Sequence, residues 1–244
     1  TTLFRSGQTQ ANKALTLPFL SLISISVLPI FWFIAFKSFM DGLQRTTVGM
    51  TITIIALLLN ILGNHILING LWGFPALGLF GSGISTLLSR IFMAATLGIY
   101  VFTRKEFKPY LQRGHVHIEK NVLEKNILRI GIPSGMQGFF EIATFGMAVV
   151  MMGWISVTAQ AAHMVAINMA SITYMMATGI AVAGSINVGT AIGKRNRQEI
   201  IRSGNVALLL SIIFMGICAL VFFFGREYLV RGYTQEVPVI AIAV

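Results

Sequence analysis

Charged residues are scarce in this chain, and acidic residues are the scarcest of them. Its 244 residues are 11% charged and 55% hydrophobic, with a mean hydropathy of +0.79. A soluble globular domain carries about 25% charged residues. The composition therefore excludes an ordinary soluble domain and predicts an all-α integral membrane protein, a polytopic bundle of transmembrane helices.

Cysteine is nearly absent too, and several catalytic patterns are missing altogether. The one cysteine, Cys218, lies in an apolar run, which excludes an intramolecular disulfide. No phosphate-binding loop, nucleophile elbow or zinc motif occurs. His115 and His117 have no further ligands nearby in sequence, so a solvated pair is favoured over a metal site. These absences predict that the chain is not an enzyme and has no cofactor.

Six apolar stretches are long enough to cross about 30 Å of hydrocarbon as helices. They lie at about residues 14–36, 48–68, 78–102, 127–155, 161–193 and 204–224, and a seventh begins near Pro238. Pro133 falls near the start of the fourth, where its missing N–H should cost little. The N-terminal ten residues lack the apolar core of a signal peptide, and the C-terminal apolar segment stops soon after it begins. We therefore interpret the chain as a fragment, with the rest of the same polypeptide as its partner.

The charged connector at residues 103–126 is the predicted domain boundary. Residues 1–102 would form one domain with three spans, and residues 127–244 another with three spans and the start of a fourth. Apolar residues recur among charges from His115 to Ile130. This spacing predicts an amphipathic helix along the cytoplasmic interface, with an ordinary solvated loop as the alternative.

Basic residues concentrate in three alternate connectors. Thirteen of the 18 Lys and Arg residues lie there or at their edges. They are Lys37, Arg45, Arg104, Lys105, Lys108, Arg113, Lys120, Lys125, Arg129, Lys194, Arg195, Arg197 and Arg202. Because cytoplasmic loops carry an excess of Lys and Arg, these connectors are predicted to be cytoplasmic. The net charge of +10 thus reflects membrane topology rather than a nucleic-acid partner.

Glu141 is the one acidic residue inside an apolar stretch. A charged side chain at the bilayer centre costs roughly 2.5–3.5 kcal/mol on insertion scales, so such groups usually bind a cation, carry a proton or face water. We predict that Glu141 forms a buried acidic site that binds a cation or carries a proton. The alternative is a protonated Glu141 that only hydrogen-bonds a neighbouring helix.

Two polar stripes accompany this carboxylate on successive spans. One includes Glu141 with neighbours at i−4 and i+3, and the other follows spacings of three and seven residues. We expect them to line one cavity, with interhelical hydrogen bonding as the alternative. The cavity-lining candidates are Gln137, Thr144, Asn168, Ser171 and Thr178.

Arg90 is the one basic residue well inside a span. Such a cation needs a partner, which could be a carboxylate, backbone carbonyls or a substrate. We interpret Arg90 as a structural buried charge.

Four segments, in order, resemble signatures of the MATE (multidrug and toxic compound extrusion) transporters. FMDGLQRT, at 39–46, is similar to the "F..GLG.T" signature at the cytoplasmic end of the fourth helix of that family. Residues 70–90 resemble the junction of the fifth and sixth helices of that family. GIPSGMQGFFE, at 131–141, resembles the start of the seventh helix, and residues 161–196 resemble the eighth helix. The resemblance covers nearly the whole chain.

The resemblance implies a two-lobe, twelve-helix antiporter, of which this chain supplies roughly the fourth to ninth helices. Residues 1–102 would then be the end of the N-lobe and residues 127–244 the start of the C-lobe. The family exports drugs and organic cations across the inner (plasma) membrane in exchange for Na⁺ or H⁺. Glu141 matches the acidic seventh-helix position of the NorM-like branch, so any metal site would be Na⁺ at Glu141. The implied partners are the lipid bilayer and small organic, often cationic, substrates. The alternatives are a lipid-linked oligosaccharide flippase of the same superfamily, an intramembrane enzyme and a channel.

Overall fold

The computed structural model describes residues 10–73, 75–111, 120–234 and 236–243, and every regular element in these ranges is a helix. The α-helices are α1 (Gln10–Ile25), α2 (Val27–Gly42), α3 (Thr46–Asn69), α4 (Gly78–Thr103), α5 (Lys108–Leu111), α6 (Lys120–Ile155), α7 (Val157–Gly193), α8 (Arg197–Tyr233) and α9 (Val237–Ala243). A 3₁₀ turn, Lys105–Phe107, precedes α5. The contacts divide the chain into two compact units, residues 1–114 and 115–244, which are described separately below.

Six helical segments are long and apolar enough to cross a membrane, which confirms the predicted fold class. They are Leu17–Gly42, Thr46–Asn69, Gly78–Thr103, Ile127–Ile155, Val157–Gly193 and Arg197–Tyr233. α7 and α8 are longer than the apolar stretches that predicted them, at 37 residues each. Hydropathy marks only the lipid-facing length, whereas backbone hydrogen bonding continues the helix into polar flanking sequence.

The first span of the N-terminal unit is interrupted at Ser26, between α1 and α2. Pro29 lacks the N–H that would otherwise bond to the carbonyl of Ile25, so the helical ladder loses a bond at this point. The Ser26 N–H still reaches the Leu22 carbonyl at 2.9 Å. Its hydroxyl donates to the Ile23 carbonyl at 2.7 Å. The side chain of Ser26 is fully buried at this break.

The core of the N-terminal unit is closed at one end by the turn that follows α4. Phe107, in the 3₁₀ turn, is only 3% exposed and packs in one cluster with Met40 and Val101. Its ring lies 6.1 Å from that of Phe39. The segment after α4 is therefore anchored to α2 and α4 by an aromatic side chain.

The connector between the units is only partly described. Residues 112–119 lie outside the described part of the chain. From Lys120 onward, the sequence predicted to form an interfacial helix is the beginning of α6, which continues without interruption to Ile155. Whether residues 120–130 lie along a membrane surface stays a prediction. Pro133 is inside this helix, so its missing N–H removes a bond to the Arg129 carbonyl, contrary to our expectation of little cost.

In the C-terminal unit, two tight turns connect three long helices. At the α6–α7 turn, the Ser156 hydroxyl accepts a hydrogen bond from the Ala159 N–H at 3.0 Å. At the α7–α8 turn, the Asn196 side chain caps α8 by accepting from the Glu199 N–H at 3.2 Å. Both are N-cap interactions that satisfy otherwise unpaired N–H groups. The short loops make α6, α7 and α8 successively antiparallel.

Candidate functional site

Glu141 is directly hydrogen-bonded to a residue on the next helix. The Tyr174 hydroxyl of α7 donates to the Glu141 carboxylate of α6, with an Oη–Oε1 distance of 2.6 Å. Charge-assisted O–H···O⁻ hydrogen bonds have lengths of about 2.5–2.7 Å. Glu141 is partly buried in this unit, whereas Tyr174 is 54% exposed. The site thus contains an acid and a phenol on facing helices.

The antiparallel hairpin explains why these two side chains meet. Glu141 precedes the turn residue Ser156 by 15 positions, and Tyr174 follows it by 18. At 1.5 Å per residue, each lies roughly 22–27 Å along its helix from the turn. Both residues are therefore well inside the predicted spans, where water is scarce.

The sequence analysis did not identify Tyr174, although a signal for it was present. It follows Ser171 by three residues and precedes Thr178 by four, so it shares their side of α7. Only small polar side chains were considered for the stripe. A tyrosine with the same spacing belongs to the same stripe, because a tyrosine hydroxyl at membrane depth also needs a polar partner.

Three of the predicted cavity residues satisfy the backbone of their own helices. The Thr144 hydroxyl donates to the Phe140 carbonyl at 2.8 Å. The Ser171 hydroxyl donates to the Ile167 backbone carbonyl at 2.7 Å. The Thr178 hydroxyl donates to the Tyr174 backbone carbonyl at 2.8 Å. Hydroxyl groups bonded in this way keep acceptor capacity for a ligand.

The two remaining candidates are placed differently. Gln137 is exposed and lies one turn before Glu141 on α6. The Asn168 amide instead donates to the Tyr233 hydroxyl of α8 at 3.0 Å. Asn168 is six residues before Tyr174, which places it about 120° away around α7. One side of α7 therefore contacts α6 and another contacts α8. A cavity shared by Asn168 and Glu141 stays a prediction.

Arg90 reaches the helix break in the N-terminal unit. Its Nη1 donates to the Ser26 hydroxyl at 2.6 Å. None of the ion pairs formed by described residues involves Arg90. The partner is therefore a buried hydroxyl at the break between α1 and α2, which was not among the partners considered. The structural role of Arg90 stays a prediction.

A polar contact also links α3 and α4. The Asn60 amide donates to the Ser85 hydroxyl at 3.4 Å, and that hydroxyl donates to the Asn60 carbonyl at 3.0 Å. Asn64 donates to the Asn60 side chain at 3.3 Å. A Cβ on Gly63 would lie 2.5 Å from the Ser85 Oγ, so glycine permits this approach. Such contacts are typical of interhelical hydrogen bonding in membranes.

In the described part of the chain, no cluster of three His, Cys, Asp or Glu side chains could hold a metal ion. At Glu141, the available ligands are instead one carboxylate and the hydroxyl oxygen of Tyr174. Oxygen ligands suit hard cations, and a carboxylate can equally take a proton.

Comparisons with known proteins connect this site to a family. Residues 133–244 match the family model MatE, a range that includes Glu141 and Tyr174. The chain is 31% identical over 233 residues to the "Probable multidrug resistance protein NorM" of Idiomarina loihiensis, covering 95% of this chain and 50% of that protein. It is 32% identical over 224 residues to the protein of the same name from Mesorhizobium japonicum, covering 90% of this chain and 48% of that protein.

A third relative gives the same result. The Photorhabdus laumondii protein, also named "Probable multidrug resistance protein NorM", is 34% identical over 213 residues, covering 86% of this chain and 46% of its own length. The chain thus spans about half the length of the curated relatives it matches. These relatives are not named as enzymes, in agreement with the sequence analysis. The matched helices, the six spans and the similarity along both units lead to one conclusion: this chain is a multi-pass membrane protein that belongs to the MATE family.

Proposed function

We propose that this chain is part of a secondary active antiporter that exports organic cations or drugs across the cytoplasmic membrane in exchange for Na⁺ or H⁺. The observation that carries the proposal is the 2.6 Å hydrogen bond between Tyr174 and Glu141. An ionisable group inside a span is costly, so it is usually retained for a function. Here the Tyr174 hydroxyl places a second oxygen beside the carboxylate. The curated relatives support the same proposal, because their names describe multidrug resistance.

Glu141 and Tyr174 can bind either coupling ion with the same atoms. A Na⁺ ion would be bound by the carboxylate and by a lone pair of the Tyr174 hydroxyl, which would then turn its O–H away. A proton would reside on the carboxyl, which could donate to the same phenolic oxygen. The hydroxyl of Thr178, one turn along α7, has remaining acceptor capacity close to this pair.

Exchange follows from the charge of the two ligands. An organic cation and a coupling ion both carry positive charge and are attracted by the same carboxylate. In a site of low dielectric constant they repel each other, so each weakens the binding of the other by the same factor. Entry of the ion from one side therefore favours release of the drug, which is the requirement for antiport.

The acidic character of the site argues against the flippase alternative. The lipid-linked sugars that such proteins carry bear phosphate groups, which a carboxylate inside a span would repel. A cationic substrate is attracted instead.

The test uses the full-length protein that contains this chain. Glu141→Gln keeps the shape and removes the charge, and we expect near-complete loss of drug efflux at normal membrane abundance. Glu227→Gln is the matched control, because Glu227 is exposed and paired with Arg231 near the end of α8. Efflux in proteoliposomes under a Na⁺ gradient or a pH gradient alone identifies the ion. Wild-type drug resistance in the Glu141→Gln strain would reject the proposal.

A further inference from the structure

A cleft of about 510 Å³ lies between the last part of α7 and the first part of α8. Small side chains form its floor, among them Ala183, Gly184 and Ala207. The two helices meet closely there, since a Cβ on Gly184 would lie 2.5 Å from that of Ala207. Larger apolar side chains, Ile180 and Leu210, line the end of the cleft that is further from the α7–α8 turn.

The end of the cleft near the α7–α8 turn is polar and basic. It is lined by Asn187, Arg202 and Ser203. The turn itself adds further cations, namely Lys194, Arg195 and Arg197. The one acid that lines the cleft, Glu199, lies 4.0 Å from the Lys194 ammonium, which offsets its charge. Within the described residues, Arg202 forms none of the ion pairs.

The cleft therefore has two chemically different ends arranged along the bilayer normal. The distribution of Lys and Arg places the basic end at the cytoplasmic surface. Leu210 follows Arg202 by eight residues, which puts it about 12 Å deeper. Half of the hydrocarbon core is about 15 Å thick, so the apolar end lies within the cytoplasmic leaflet.

We propose that this cleft binds one anionic phospholipid from the cytoplasmic leaflet. The phosphodiester is held by Arg202, with the Ser203 hydroxyl and the Asn187 amide as hydrogen-bond donors. One acyl chain lies along Ile180, Val206 and Leu210. Basic pockets between helices on the cytoplasmic side are suited to anionic lipid headgroups. This site is distinct from Glu141 and does not depend on the identity of the transported ion.

The lipid fits the cleft better than another protein segment does. A transmembrane helix packed over the cleft would bury Arg202 and need its own acid beside it, because an unpaired cation within a helix bundle is costly. A phospholipid supplies the anion itself and leaves the guanidinium at the membrane interface, where long basic side chains are stable.

The test measures the retention of phosphatidylglycerol by the purified full-length protein. The protein is stripped of lipid in detergent, titrated with phosphatidylglycerol and examined by native mass spectrometry. Arg202→Gln should weaken binding about tenfold, because a direct charge-assisted hydrogen bond to the phosphodiester is lost. Arg197→Gln is the matched control, since it removes the same charge from the same end of α8 without lining the cleft. It should leave the tight binding event unchanged.

A second pair of variants tests the acyl-chain part of the cleft. Ala183→Phe fills the floor and should abolish the tight binding event with all charges intact. Ala181→Phe, an exposed position on α7 that does not line the cleft, should not. All variants are compared with wild type for melting temperature in detergent, so that unfolding is recognised.

Three results would overturn the proposal. Equal losses in Arg202→Gln and Arg197→Gln would show only diffuse attraction to a basic surface. Displacement of the lipid by soluble glycerol phosphate at similar concentration would show that the acyl chain is not bound. Crosslinking of a cysteine at position 183 to another segment of the polypeptide, or to a second copy, would show that protein covers the cleft.

Discussion

At the residue scale, the role proposed for Glu141 involves the hydroxyl group that faces it. The Tyr174 hydroxyl donates to the Glu141 carboxylate. In the proposed antiporter its oxygen would also be a ligand for the coupling cation. It can therefore serve both the empty and the ion-bound state of the site. A phenylalanine would keep the ring and lose both functions.

We expect Tyr174→Phe to lower efflux per folded molecule about tenfold, because a hydrogen bond to a charged group is lost. The half-saturating concentration of the coupling ion should rise as well if that ion is Na⁺, since one oxygen ligand disappears. Tyr228→Phe is the control, because Tyr228 is 84% exposed on α8. Unchanged efflux and ion dependence in Tyr174→Phe would show that Glu141 acts without this phenol.

At the element scale, the packing of α7 against α8 relies on one glycine. A Cβ on Gly184 would lie 2.5 Å from that of Ala207, closer than real Cβ contacts allow. The blocking atom is the Cβ of Ala207, which is fixed to the backbone and cannot rotate away. The two helices themselves must therefore separate. Small residues at such contacts are typical of helix pairs in membranes.

Gly184→Ala should therefore destabilise the protein, by about 1–3 kcal/mol, the usual cost of overpacking. Gly189→Ala is the control on the same helix, since no atom lies within 4 Å of a Cβ there. The measurement is the melting temperature of the purified full-length protein in detergent. Equal melting temperatures for the two variants would mean that the α7–α8 contact is looser than described.

Much of the fold could be predicted from the sequence, because lipid imposes a minimum apolar length on each span. The six spans are confirmed for this reason. The break at Ser26 was not predicted, since it depends on one missing N–H at Pro29 rather than on hydropathy. The pairing of Tyr174 with Glu141 was not predicted either. It depends on the relative register of α6 and α7, which is set by the turn at Ser156 and not by composition.

At the scale of the whole molecule, the basic residues define how the helices cross the membrane. The α7–α8 turn contains Lys194, Arg195 and Arg197, whereas the α6–α7 turn around Ser156 contains no basic residue. The positive-inside rule places these two turns on opposite sides. The proposed lipid site requires this orientation, since it assigns the basic end of the cleft to the cytoplasmic leaflet.

Single cysteines in a Cys218→Ala background test the orientation. Positions 72 and 158 should react with an impermeant thiol reagent added to intact cells, and position 198 only after the membrane is permeabilised. Trp72 is 86% exposed, so a cysteine there is accessible to the reagent. Reaction at position 198 in intact cells would invert the topology and move the lipid site to the other leaflet.

Pro133 gives α6 a mechanical property that an uninterrupted helix of this length would lack. It removes one backbone hydrogen bond eight residues before Glu141, so the helix is weakened between its charged first turns and the part that carries Glu141. Sharp helix kinks exceed about 20° and occur mainly at proline. With a lever arm of about 12 Å between Pro133 and Glu141, a swing of that size displaces the carboxylate by about 4 Å. A hydrogen bond does not stretch so far, so a bend of that size at Pro133 would break the contact with Tyr174.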